Sequence, residues 1–290
     1  MFGEMNPGIL LAFSSALAYG AADFIGGAGS RRYSPWQVVL VGQATGAIVM
    51  LSAGLLLPGS PATPDFAWAL LAGCGSAIGS ISLYRGLARG RMGLVAPVSA
   101  VGAAVLPVLV GAAIGEHRSW VVWIGLVTAL PGIWLVSGNT ASERPGVDPD
   151  RIAARRRAVT DGFIAGAGFG TLFVALSQIS DGAGLLPLAT NQLVGAILTV
   201  TAATGLKQTW RPHRGVIAWG TAVGALGALG TLAFMVATGK TSLGIAGVLA
   251  SLYPAITVLL AGSLLGERIG TGQRMGMGVC TVAVAMLALA

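Results

Sequence analysis

Charge is what this sequence has least of. Its 290 residues carry 17 Lys and Arg and 10 Asp and Glu, 9% of the chain, against about 25% in soluble proteins. A water-exposed surface cannot be built at that density, which excludes a soluble domain. The net charge of +7 would suit nucleic acid, but topology accounts for its distribution, and no nucleic-acid partner is expected. Cysteine is nearly absent. Cys74 and Cys280 fall inside separate apolar stretches, so free thiols are expected rather than a disulfide or a metal site. His117 and His213 are the only histidines, in separate polar connections with no obvious serine partner within a span. That argues against a buried Ser–His nucleophile and against an enzyme of that kind. A basic leader is missing too. The apolar run 9–18 leads directly into more apolar sequence and reads as part of a first span, not as a signal peptide.

Hydrophobicity is what the chain has in abundance: 54% of residues, with a mean hydropathy of +0.80. A bilayer core about 30 Å thick takes ~20 apolar residues in a helix. Windows of that kind nearly tile the sequence, and the lipid bilayer is the first partner they imply. The predicted spans are 7–27, 35–57, 66–88, 92–114, 119–137, 160–180, 184–206, 215–238, 242–265 and 271–289. Trp36, Trp68, Trp120, Trp123 and Trp219 stand at span starts, with Trp210 just before span eight, as in an aromatic belt. The 45 glycines fit close helix packing in lipid. GxxxG pairs at Gly42/Gly46, Gly75/Gly79, Gly162/Gly166, Gly166/Gly170, Gly220/Gly224 and Gly272/Gly276 are expected packing faces.

One long stretch occurs twice. Residues 93–116 read GLVAPVSAVGAAVLPVLVGAAIGE, and a shift of 151 positions lands on GIAGVLASLYPAITVLLAGSLLGE at 244–267. Six positions are identical: Gly93, Ala104, Leu109, Gly111, Gly115 and Glu116 recur as Gly244, Ala255, Leu260, Gly262, Gly266 and Glu267. The same shift carries Arg89 onto Lys240 and Gly125 onto Gly276. The chain therefore divides into a first five-span repeat (1–140), a charged inter-repeat loop (141–159) and a second five-span repeat (160–290). Five crossings reverse the sense of the second repeat. The expected fold is an all-α membrane protein of ten transmembrane helices in two inverted repeats, the arrangement that underlies alternating access. Of the 17 Lys and Arg residues, 15 lie around the odd-numbered connections and only Arg118 and Lys240 around the even-numbered ones. The positive-inside rule then puts the odd-numbered connections in the cytoplasm and both termini outside.

At this level the chain resembles the drug/metabolite transporter superfamily, in its ten-helix EamA-like branch. The residues that carry the likeness are the duplicated five-span unit, LLGER at 264–268 with its echo IGEHR at 114–118, and YGAADFIGG at 19–27. The resemblance covers essentially the whole chain. It implies a carrier of the bacterial inner membrane that exports amino acids or related metabolites through a cavity between the repeats. Many relatives are described with cytoplasmic termini, and the charge count here departs from that.

Few residues can carry chemistry. Asp23 is the one acid predicted well within a span, where a carboxylate is costly and must face a cavity or a partner. It reads either as a proton or substrate-amine site or as a snorkelling residue paired to Arg31 or Arg32. Tyr19, Gln43, Ser80, Tyr84, Ser99, Gln178, Asn191, Gln192, Ser251 and Tyr253 could line a polar interior or bond between helices. As a set they suit a small neutral or zwitterionic solute, with the tyrosines stacking on it. Arg85 could hold a carboxylate or anchor a cytoplasmic end. Pro97, Pro107 and Pro254 are gating candidates because a proline removes a backbone donor and kinks a helix; static kinks are the alternative. Glu116 and Glu267 read as structural, bonded to helix N-terminal amides or to Arg118 and Arg268. GKTS at 239–242 lacks the earlier glycine of a phosphate loop, since residue 234 is Phe, and no nucleotide site, metal or cofactor is expected. The expectation is a secondary carrier of small metabolites, a monomer or weak dimer. Proton-coupled efflux of cationic drugs through Asp23 is the alternative.

Overall fold

A computed structural model describes residues 7–89, 92–113, 120–137, 149–180, 182–238, 240, 252–267 and 270–288. Ten helices fill them: α1 Pro7–Arg32, α2 Pro35–Leu56, α3 Thr63–Ala88, α4 Met92–Ala113, α5 Trp120–Ser137, α6 Pro149–Leu176, α7 Leu186–Gly205, α8 Arg214–Thr238, α9 Tyr253–Leu264 and α10 Thr271–Ala288. Six of them, α1, α2, α3, α6, α7 and α8, are long and apolar enough to cross a membrane; the others carry shorter apolar stretches. The protein is an all-α membrane protein. The first part of the ninth predicted span, 242–251, lies outside the described residues.

Two helix ends differ from the hydropathy reading, for one reason. Helix α1 runs on to Arg32 and α6 begins at Pro149, 11 residues before the predicted span at 160. Both extensions are rich in arginine, which is a good helix former yet ends an apolar window. Hydropathy marks where lipid ends, not where helix ends.

The contacts between helices establish the inversion directly. Between α2 and α7, Gly46 faces the Gln192 amide and Gly195 faces the Gln43 amide, while Gly54 meets Leu186. Residue numbers rise on one helix as they fall on the other, so these repeat mates are antiparallel. Helices α3 and α6 are antiparallel too, Gly75 lying on Gly168 and Gly86 beside Asp161. By the same reasoning α4 runs parallel to α6, with Val98, Gly102 and Leu106 against Gly162, Gly166 and Gly170. Only a second repeat entering in the opposite sense satisfies all three relations.

The pairings also obey an approximate two-fold axis. The α3–α6 pair has its mate in α1–α8, α2–α8 in α3–α7, and α4–α6 in α1–α9. Each is an interface between repeats. Small residues let these backbones meet, because packing rather than a hydrophobic drive joins helices in lipid. A Cβ on Gly224 would lie 2.2 Å from the Gly42 carbonyl oxygen, and one on Gly166 would lie 2.8 Å from the Gly102 Cα. Five of the six GxxxG pairs are packing faces in this way. Gly272, of the sixth, faces open space.

Candidate functional site

The midpoint of α1 is where polar chemistry gathers. With the helix extended to Arg32, Asp23 stands nine residues before its end, roughly 14 Å along the axis. That is too deep for pairing with Arg31 or Arg32, and Arg31 has another partner. Among the described residues Asp23 has no hydrogen bond or ion pair. Its neighbours are aromatic: Tyr19 one turn earlier, Tyr84 from α3 and Tyr253 from α9 all lie within electrostatic reach of the carboxylate.

Glycines seat these rings. A Cβ on Gly26 would fall 2.3 Å from Cζ of Tyr84, so the α3 tyrosine lies flat on α1 one turn beyond Asp23. A Cβ on Gly230 of α8 would lie 3.1 Å from the Tyr19 ring. Tyr19 and Tyr253 meet edge to face at 6.5 Å. The Tyr19 hydroxyl bonds to Thr231 Oγ1 at 2.8 Å. Thr257 donates to Gly20 O, 3.1 Å away, which fastens α9 to α1. The hydroxyls of Tyr84 and Tyr253 bond to no described residue. Helices α1, α3 and α9, with α8 behind Tyr19, thus bring one carboxylate and three phenols together, three of these groups from the first repeat and one from the second.

The other expected polar residues separate into distinct places. Gln43 is buried, donating to Ser76 Oγ at 3.4 Å and accepting from Thr199 Oγ1 at 3.1 Å. With Gln192 and the buried Asn191 it forms a seam between α2, α3 and α7, away from Asp23's neighbours. Ser99 is buried on α4 against α6, and Ser80 is half-buried on α3 one turn before Tyr84. Gln178 stands exposed past the end of α6, bonded to Ser177 Oγ at 3.3 Å. Ser251 lies outside the described residues. Pro97 and Pro254 line one crevice between α4, α9 and α10, of about 20 Å³, which is roughly one water molecule. Pro254 falls in the first turn of the described α9 helix, a position that tolerates proline without a kink. Pro107 is half-buried farther along α4.

Two ion-pair bridges at the arginine-rich end were not legible in the sequence. Arg85 does hold a carboxylate, but the protein's own. Its Nε and Nη2 donate to Asp161 Oδ1 at 2.9 and 2.6 Å, and Arg89, one turn on, holds Oδ2. Asp161, with its side chain 3% exposed, is a second acid within a helix, and it ties α6 to α3. The spacing of Arg85 and Arg89, four residues apart on one helix face, is the signal that could have suggested a shared partner. Asp161→Ala leaves two guanidiniums without their carboxylate. It is expected to lower stability by about 1.5–3 kcal/mol, read as earlier thermal unfolding in detergent.

The second bridge explains the LLGE motif. Gly266 has φ +65°, a left-handed conformation that glycine adopts without cost, and it turns the chain out of α9 toward α1. Glu267 then binds Arg31 through Oε1 and accepts the Met92 amide on Oε2 at 3.1 Å. One carboxylate so joins the ends of α1 and α9 to the start of α4; Arg268, Glu116 and Arg118 lie outside the described residues. The repeat shift carries Arg31 to Gly182, Arg85 to Val236 and Asp161 back to Leu10. Among the described residues neither bridge has an ion-pair counterpart at the opposite end. There the joins are neutral or local, with Ser180 donating N–H and Oγ–H to Asp65 Oδ1 at 2.9 Å each. His213 accepts from the Gly215 amide and lies edge-on to Tyr33 at 5.0 Å, a loop-packing role.

Comparison with known proteins agrees with this architecture. The model of the EamA-like transporter family matches residues 6–138 and again 157–289, one match per repeat. A protein of known crystal structure is 15% identical over 97% of this chain and 96% of its own, with a TM-score of 0.61, a likeness of fold. A comparison with curated proteins gave no match.

Proposed function

The chain belongs to the EamA-like transporter family, and on that premise we propose that it exports small metabolites bearing an amino group, amino acids foremost, across the bacterial inner membrane. The observation that carries the reading is Asp23 at mid-helix, without a hydrogen bond or ion pair among the described residues and with Tyr19, Tyr84 and Tyr253 within electrostatic reach. A carboxylate held without a protein partner in hydrocarbon is costly. An ammonium group offsets that cost, and tyrosine faces attract a cation at ~0.5–2 kcal/mol each. Alternating access between inverted repeats supplies the movement. The charge count supports placing the arginine-rich end in the cytoplasm, and the two bridges there support reading this conformer as closed on that side.

One observation favours proton-coupled efflux of organic cations as a second reading. Arg85 is committed to Asp161, so no described cation beside Asp23 remains to hold a substrate carboxylate. Efflux from loaded proteoliposomes separates the two. Neutral and aromatic amino acids leaving without need of a pH gradient is the expected result. Cations leaving only against an inward proton gradient would transfer the assignment to the second reading, and no flux of either class, with a control carrier working, would end both.

A further inference from the structure

The Tyr19–Thr231 pair contains information beyond the site's charge. Thr231 Oγ1 lies 2.8 Å from the Tyr19 hydroxyl and 3.0 Å from the Gly227 carbonyl oxygen one turn back on α8. A threonine hydroxyl has one proton to give. The Gly227 carbonyl can only accept, so the order that uses both protons is Tyr19 donating to Thr231 and Thr231 donating to Gly227. Tyr19 therefore has no proton left for a ligand. Its oxygen keeps a lone pair that can accept, on a ring that packs edge to face against Tyr253 and stands one turn before Asp23.

We infer that Thr231 is a specificity-determining residue that holds Tyr19 as a pure acceptor, so that the site selects primary ammonium groups over their fully methylated counterparts. The inference rests on the amino-group reading of the Asp23 site and sharpens it. Ring faces alone do not make the distinction, since a quaternary ammonium is a good ligand for an aromatic cage, and the Asp23 carboxylate makes only part of it, through a single N–H. A directed lone pair supplies the rest. A primary ammonium can give one N–H to Asp23 and a second to Tyr19, whereas a trimethylammonium has none to give. A buried acceptor that loses its donor bears the full cost of desolvation, and that is how hydrogen-bonding sites reject analogues lacking the group. Nothing on α1 alone sets this order. Thr231 lies 212 residues away and in the other repeat.

The test is competition against labelled phenylalanine in counterflow, with unlabelled phenylalanine and its N-trimethyl betaine as competitors. Wild type is expected to prefer the primary amine by roughly tenfold or more. Tyr19→Phe and Thr231→Val should each lower the preference by about threefold or more, leaving the part that Asp23 supplies, while Thr231→Ser, which keeps the hydroxyl, should retain it. An unchanged preference in Thr231→Val, or its loss in Thr231→Ser, overturns the inference. Thermal unfolding of each variant separates a lost preference from a lost fold. Should phenylalanine not be carried, phenethylamine and its trimethyl form serve in its place. If uptake proves indifferent to Asp23→Asn, the amino-group reading itself fails. If uptake needs Asp23 yet discrimination ignores Thr231, only this inference does.

Discussion

Asp23→Asn is expected to cut exchange of amino-group solutes by about 30-fold to several-thousand-fold, the equivalent of roughly 2–5 kcal/mol for removing one partner of a desolvated charge pair. The same substitution should leave the protein at least as stable as wild type. Both halves follow from one geometric fact: among the described residues the carboxylate has no hydrogen bond or ion pair to lose. In the empty protein no described residue offsets its charge when it ionises, and the amide fills its volume without that penalty. A structural aspartate behaves oppositely. Asp161, clamped by Arg85 and Arg89, should lose stability when neutralised. Transport assays and thermal unfolding on the same two variants therefore classify the two acids. A large stability loss in Asp23→Asn would mean that the carboxylate has a structural partner, and would remove it from the site.

The second large effect concerns which conformer is populated. An inverted repeat offers two arrangements of nearly equal energy, yet among the described residues the ion pairs, Arg31–Glu267 and Asp161–Arg85/Arg89, all fasten the arginine-rich end. The Glu267 side chain is 14% exposed and Arg31 27%, so solvent screening is partial, and the added Met92 amide bond raises the pair above the near-zero worth of a surface bridge. About 1–2 kcal/mol is reasonable for it, a shift of roughly 5- to 30-fold between states. Glu267→Gln should therefore open the arginine-rich end more often. The readout is the reaction rate of a cysteine at Ser80 with an impermeant maleimide added from that side, in a background lacking Cys74 and Cys280. The reversed pair Arg31→Glu with Glu267→Arg should restore part of the slow labelling, because the attraction survives the exchange while the Met92 amide loses its acceptor. Equal rates in all three proteins would make the bridge a bystander.

How much of this was legible in the sequence follows from the range of each interaction. Helix number and duplication are properties of runs and spacing, and the 151-residue shift read them from composition alone. The clustering of Tyr19, Asp23, Tyr84 and Tyr253 was only half visible. All four belong to the expected polar set, but hydropathy carries no azimuth, so it could not separate them from Gln43, Asn191 and Gln192 in the α2–α3–α7 seam. Thr231 was invisible for a different reason. Its hydroxyl satisfies its own helix at Gly227, as threonines in membrane helices often do, and nothing local marks it as a partner of Tyr19. Asp161 was missed because it was placed at the lip of an apolar window, whereas the helix continues well before it. The LLGE motif stood out as a repeat mark, and its meaning came from the left-handed Gly266 and from Arg31, 236 residues distant.

The central claim is that one site between the repeats faces the two sides of the membrane in turn. Counterflow tests it most directly: liposomes preloaded with excess unlabelled phenylalanine, or phenethylamine, are diluted into a trace of the labelled compound. A carrier with alternating access returns label inward on each cycle, so label should rise transiently above its equilibrium level and then decay, and the overshoot should vanish in Asp23→Asn. A monotonic approach to equilibrium in the wild type would describe a pore rather than a carrier and would contradict the account.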